Sequence, residues 1–199
     1  MKKEEAIRII TSCAIIYRDK LTNKNLLFIY GDPLKPETLE TVFYSRQFHH
    51  LTGVKTNDIS PIQFYKRCLD NRLSPRDFDF KNNGSTVMKL SVLNTLMHIE
   101  TKANMIGDYD NSKTLLRTDK LAGSTHACIG FVKDTNDQNY HIPNTALKED
   151  IRGIIEKQNR VLAVFKKDIK DSIYTNNTRL AKGIDLSDLK KKLNHTKLP

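Results

Sequence analysis

The sequence predicts an α+β domain in which N-terminal helices pack on one side of a twisted antiparallel sheet. Apolar residues recur at helical spacing in several segments of the first hundred positions, and strand-like runs gather from Ala103 onward. Strands and helices do not alternate regularly, as they would around a parallel sheet. A chain of 199 residues suits one substantial core, so residues 1–185 are read as a single domain and 186–199 as a basic helical tail.

From Glu4 to about Arg18, the residues Ala6, Ile9, Ile10, Cys13, Ala14 and Tyr17 form one apolar helical face. Asn25–Tyr30 is a continuous apolar run closed by Gly31-Asp32-Pro33, the pattern of a buried strand ending in a turn, and Thr41–Tyr44 reads as its partner. Ser60-Pro61-Ile62-Gln63 combines a capping box with proline at the first helical position, which predicts a helix from about Pro61 to Asp70. Val87, Leu90, Leu93, Leu96 and Met97 predict another that runs to about Ile99. Met105–Tyr109, His126–Val132 and Arg160–Phe165 read as strands. Pro143–Leu147 is expected to cap a short helix through Ile155, and Asp185–Asp188 to begin a lysine-rich one.

A formal charge of +10, from 33 Lys and Arg against 23 Asp and Glu, makes a polyanion the favoured class of partner. No apolar run has the length of a membrane span, and the start Met1-Lys2-Lys3-Glu4-Glu5 carries acids that a secretory signal avoids, so a cytoplasmic protein is expected. Cys13, Cys68 and Cys128 are widely spaced among apolar neighbours and are read as buried, reduced thiols. Phosphate-binding Gly-rich loops of the Walker or Rossmann kind are absent, and the six histidines are too scattered for a zinc site, so neither a cofactor nor a metal is expected.

Phe48-His49-His50-Leu51-Thr52-Gly53-Val54 is the segment with most chemistry. Read as a strand end closed by glycine, it turns one histidine toward a cleft, and Thr52 shares the strand face of His50. A histidine moves protons near neutral pH, and a hydroxyl beside it orients a phosphate or a ribose. The same residues also fit a polar strand end with a structurally bonded His50.

This segment resembles the hallmark of the fourth phage family of barnase, EndoU, colicin and RelE-like nucleases, the BECR fold. Ile106-Gly107-Asp108-Tyr109, Lys120 with Gly123, Cys128-Ile129-Gly130-Phe131, and Tyr140–Thr145 followed by Asp150-Ile151-Arg152 agree in order, over roughly residues 5 to 185. The resemblance implies a BECR-like ribonuclease fold and an RNA-cleaving activity that uses no metal. Such cleavage needs one group to take the ribose 2′-hydroxyl proton, another to protonate the leaving oxygen, and cations around the phosphate.

On that basis His50 is the candidate general acid or base, Thr52 a positioning group and Lys182 a phosphate clamp, while Lys120 and Ser124 flank a loop on the catalytic face. Lys167, at the end of the Val161–Phe165 strand, is either a charge stabiliser or a solvated sheet-edge lysine. His126 and His141 sit in strand-like segments, of which His126 is kept as the reserve candidate, and Tyr140 and Tyr109 could stack a base. Glu40, Asp108, Asp119 and Asp150 all qualify as the acidic base, with none singled out by spacing. The expected function is therefore a ribonuclease with RNA as partner. The alternative is an inactive nucleic-acid- or protein-binding module on the same fold, such as a phage inhibitor of host defence.

Overall fold

The computed structural model describes residues 1–112, 116–193 and 197–198. Helix α1 (Lys3–Lys20) carries Glu4 and Glu5 in its first turn and Arg18 and Lys20 in its last, charges that complement the helix dipole, and it buries Ala6, Ile10, Cys13, Ala14 and Tyr17. A tight turn at Pro33-Leu34 joins β1 (Lys24–Asp32) to β2 (Lys35–Phe43), which pair antiparallel from Lys24↔Phe43 to Asp32↔Lys35. The segment expected to be a strand end is instead a helix, α2 (Gln47–Thr52), closed by Gly53 at φ 72°. Phe48 and Leu51, three residues apart, are both buried, and that spacing belongs to a helix face.

The short strands β3 (Lys55–Thr56) and β4 (Phe78–Asp79) pair with each other around α3 (Pro61–Leu69), which starts on the expected capping box of Ser60 and Gln63. Helices α4 (Ser85–Leu96) and α5 (Ile99–Lys102) lead into β5 (Met105–Asp108), β6 (Lys120–Gly123), β7 (Cys128–Lys133) and β8 (His141–Leu147). The segment expected to cap a helix is thus β8, and only a single 3₁₀ turn, Ile151–Gly153, follows it. The chain continues through β9 (Asn159–Asp168), β10 (Asn176–Leu180) and α6 (Leu186–Leu193).

The class is α+β, but the sheet is closed rather than an open twisted layer. Its strands run β1-β2-β8-β7-β6-β5-β9-β10, and β1 pairs with β9 as well as β2, so seven strands form a barrel-like ring with β10 added beside β9. Bulges at Ile29/Tyr30 and Gly130/Phe131 bend the sheet toward closure. The pairings are antiparallel except where β2 meets β8 at Thr41↔His141. Strand β1 is buried on both faces. Leu26, Phe28 and Tyr30 join the main core with α1, α3 and α4, whereas Leu27 and Ile29 join a second cluster with Phe165, Tyr174 and Leu189 of α6. A third cluster gathers Tyr109, Leu121, Cys128 and Ile151. All three cysteines are buried and unpaired. The basic tail therefore begins as a helix seated on the sheet through Leu189, and its residues 194–196 and 199 lie outside the described residues.

Candidate active site

A cleft of about 380 Å³ opens where the end of α2, the start of α4 and strand β8 meet. From α2 and the turn that closes it come His49, His50, Gly53 and Val54; from α4 and the turn before it come Lys81, Asn83, Ser85 and Lys89. Strand β8 supplies Asn144, Thr145 and Leu147, and the loop before β6 supplies Leu116 and Arg117. Its charged side chains are Lys81, Lys89 and Arg117, beside two histidines, and no acid is among the described residues that line it. The potential in the cleft is accordingly positive and suits a phosphate.

Aromatic packing fixes α2. The Phe48 ring lies 5.2 Å from that of Tyr17 and 5.3 Å from that of Tyr65, and it stacks with Phe64 at 6.5 Å. With Phe48 and Leu51 turned to the core, His49 and His50 are carried toward the cleft. At the helix end the Thr52 hydroxyl, wholly buried, donates to the His49 carbonyl at 2.7 Å and accepts from the Val54 amide at 3.4 Å. The Thr86 hydroxyl donates to the Gly53 carbonyl at 2.8 Å, tying α4 to this turn.

Lys89 crosses the bare face of Gly53, where a Cβ would lie 2.6 Å from the lysine Cδ. Glycine is thus required twice, for its left-handed backbone and for the space it leaves. The ammonium donates to Thr145 Oγ1 at 2.8 Å and reaches the His50 carbonyl at 3.4 Å. Burial first, and the charge of Lys81 second, lower its pKa from the ordinary 10.5 to about 8. Burial also lowers His50, helped by Lys89 and Lys81. His49, packed edge-on against Phe64 at 5.4 Å, is pushed down to about 4 by burial and then by His50. His49 is therefore neutral at physiological pH and His50 largely so.

A second glycine shapes the opposite wall. A Cβ at Gly130 would lie 2.5 Å from Thr118 Oγ1, so only glycine lets the 116–118 loop come down on the sheet. The Thr118 hydroxyl donates to the Phe131 carbonyl at 3.1 Å, and the Asn144 amide donates to the Arg117 carbonyl at 2.6 Å. These bonds hold Arg117 at the rim.

Of the residues singled out in the sequence, His50 lines this cleft, and Thr52 lies directly behind it as the hydroxyl that closes α2. The two do not share a strand face, because α2 is a helix. Ser124 and His126 sit together in the β6–β7 turn, where the Ser124 hydroxyl accepts the His126 amide at 3.2 Å. Lys120, on β6, is paired with Asp108 at 2.7 Å. Lys167 is 7% exposed and donates to the Asp171 carbonyl, its ammonium 5.3 Å from the Tyr174 ring centroid. Tyr140 lies under Lys197 at 5.2 Å. Lys182 is exposed in the turn after β10, and its carbonyl accepts from Arg160 at 2.7 Å. Tyr109 is buried, which removes it as a stacking platform.

The four acids considered as bases are all engaged and none lines the cleft: Glu40 accepts from Tyr174 and Lys197, Asp108 from Lys120, Asp119 from the Lys133 amide and Asp150 from Arg152. Lys81, Lys89, Arg117 and Thr145 were not legible as site residues. The one sequence signal for Lys89 was a charge inside an otherwise apolar helical run beside Leu90.

The family model described as phage-Barnase-EndoU-ColicinE5/D-RelE like nuclease4 matches residues 9–183. No curated protein and no solved structure matches the chain. Among the described residues no helix is long and apolar enough to cross a membrane.

Proposed function

The chain belongs to the phage barnase, EndoU, colicin E5/D and RelE-like nuclease family 4, and from that premise we propose that it cleaves RNA without a metal ion, at the cleft between α2, α4 and β8. The observation that carries this reading is the half-buried Lys89, its pKa near 8, beside His50 in a cationic cleft lined by no acid among the described residues. Two titrating groups whose values are separated by their surroundings supply an acid and a base at one pH.

Neutral His50 takes the proton of a ribose 2′-hydroxyl as that oxygen attacks the adjacent phosphorus. The bond from phosphorus to the 5′-oxygen breaks, and the Lys89 ammonium gives that oxygen a proton. Two of its protons are held by Thr145 and the His50 carbonyl, and a lysine has a third to donate. Arg117 and Lys81 offset the charge on the non-bridging oxygens. The products are a 2′,3′-cyclic phosphate and a 5′-hydroxyl. Proton return from His50 to water and from water to Lys89 resets the site. Thr52 and His49 position His50 by fixing the end of α2.

The test is an RNA strand incubated with the protein in chelating buffer and analysed by mass for its ends. Cyclic-phosphate ends, lost when the ribose at the cut site is 2′-deoxy, support the reading. Cleavage that persists at the deoxy site, or that requires added divalent metal, contradicts it. Tight binding with no product selects the inactive module instead.

A further inference from the structure

A second cationic cleft, of about 320 Å³, lies between the starts of β5 and β9 and strand β10, lined by Asn104, Met105, Gln158, Asn159, Arg160 and Arg179. Its two guanidiniums are anchored by main-chain carbonyls instead of carboxylates. Arg160 Nη2 donates to the Lys182 carbonyl at 2.7 Å, and Arg179 Nη1 to the Thr101 carbonyl at 3.0 Å. Arg179 Nε is buried and without a hydrogen-bond partner among the described residues. No acid is among the described residues that line this cleft, and burial first, then the charge of Arg160, makes Arg179 easier to deprotonate than an ordinary arginine. Two like charges held side by side at a cost match a bound anion with several acceptor oxygens.

The sheet places this cleft in line with the first. Met105 pairs with Gly123, Gly123 with Cys128, and Cys128 with Leu147, so the rung that begins in the arginine cleft ends in the lysine cleft. Met105 and Leu147 both pack against the same cluster of Tyr109, Leu121 and Cys128, which puts both clefts on one face of the sheet. Three interstrand steps of about 4.8 Å put Met105 and Leu147, one lining each cleft, about 14 Å apart along the sheet. A single strand spans that distance with a few nucleotides. Between them lie the β6–β7 turn with Ser124 and His126, and Asp150, whose carboxylate is already paired with Arg152 at 2.6 Å.

We propose that Arg160 and Arg179 form a second phosphate subsite, which grips the backbone of a single RNA strand a few nucleotides from the phosphate held beside His50 and Lys89. The Asn104, Gln158 and Asn159 amides border the same cleft and offer both donors and acceptors to the flanking ribose or base. The identification of the ligand as RNA rests on the cleavage reading above; the presence of an anion site does not. A substrate shorter than the span reaches one cleft, whereas a longer strand reaches both.

The experiment compares the wild type with Arg160→Gln, Arg179→Gln and the double variant. It measures kcat/KM for a dinucleotide and for a single strand of about ten nucleotides, and the binding of the longer strand across a salt series. The wild type is expected to prefer the longer strand, and the double variant to lose at least tenfold of that preference. Each arginine removed lowers the slope of log affinity against log salt by about 0.7, so the double variant loses about 1.4. Arg160→Gln alters an exposed residue and carries the test alone, at about half that slope change, if Arg179→Gln fails to fold. An unchanged preference and slope in a folded, cleaving protein overturn the subsite and leave the cleavage reading standing. A slope change in a protein that cuts no RNA supports the subsite and removes the cleavage reading. Inorganic phosphate serves as the second probe: competition by phosphate as strong as that by the longer strand means a free-anion site and overturns the proposed strand contact.

Discussion

Replacing Lys89 by methionine keeps most of the apolar stem that crosses Gly53 and removes the ammonium at its end. In the folded protein this ammonium is disfavoured, because its pKa is about 8 against the ordinary 10.5. At 1.36 kcal/mol per pKa unit the gap is worth roughly 3 kcal/mol, and residual solvent contact reduces it to about 2. Losing the bond to Thr145 costs about 1 kcal/mol, so Lys89→Met is expected to be about 1 kcal/mol more stable than the wild type near neutral pH.

The sign follows from proton counts. Between the folded and unfolded pKa values the unfolded chain binds more protons, so wild-type stability rises with pH from about 8 to 10.5, and the advantage of the variant disappears over that window. Urea unfolding near neutral pH and again at about pH 10.5 reads both effects as midpoints. Cleavage is expected to fall by about 10²–10⁴-fold in the same variant. A variant that is less stable at neutral pH, with no change in the difference as pH rises, would refute the account of Lys89 as a destabilised functional cation.

Other expectations follow from the same geometry. The pH–rate profile should be bell-shaped, with its acidic limb below the ordinary histidine value of 6.5, where His50 is held, and its basic limb near 8, where Lys89 loses its proton. Lys89→Met should abolish the basic limb, and a plateau through pH 9 in the wild type would exclude lysine as the acid. Gly53→Ala should cost about 1–2 kcal/mol by unfolding and lower turnover beyond that loss, because the added methyl displaces Lys89. Phe48→Ala should cost about 3–5 kcal/mol, with activity falling in step with the folded fraction. Thr52→Val should cost about 1–2 kcal/mol and reduce kcat more than it raises KM, by loosening the end of α2; unchanged kinetics in the folded variant would separate Thr52 from the site.

The elements that could be read in the sequence were those whose signals are local. The capping box at Ser60 and Gln63 and the amphipathic face of α1 appear where expected, and the double-sided burial of β1 follows from its unbroken apolar run. Closure of the sheet depends on β1 pairing with β9, residues separated by more than a hundred positions, and no local pattern encodes that meeting. Strand β8 was hidden because Pro143 and Asn144 resemble a helix start; the proline sits at a bulged pairing with Phe131. The misreading of α2 had a remedy in plain view, since Phe48 and Leu51 three apart, followed by Gly53, are a helix with its stop signal.

The site was half legible for a similar reason. His50 stands in a compact motif, whereas Lys89 acquires its chemistry only when Gly53 brings it across the end of α2 and Thr145 receives it from β8. Nor could the sequence show that Glu40, Asp108, Asp119 and Asp150 are all engaged outside the cleft.

The most direct measurement is the single-turnover rate of RNA cleavage in chelating buffer for the wild type, His50→Ala and Lys89→Met. Loss of about 10²–10⁴-fold in each variant, in folded protein, is the predicted result. Rates within threefold of the wild type in both variants would place the chemistry outside the α2–α4–β8 cleft and contradict the account.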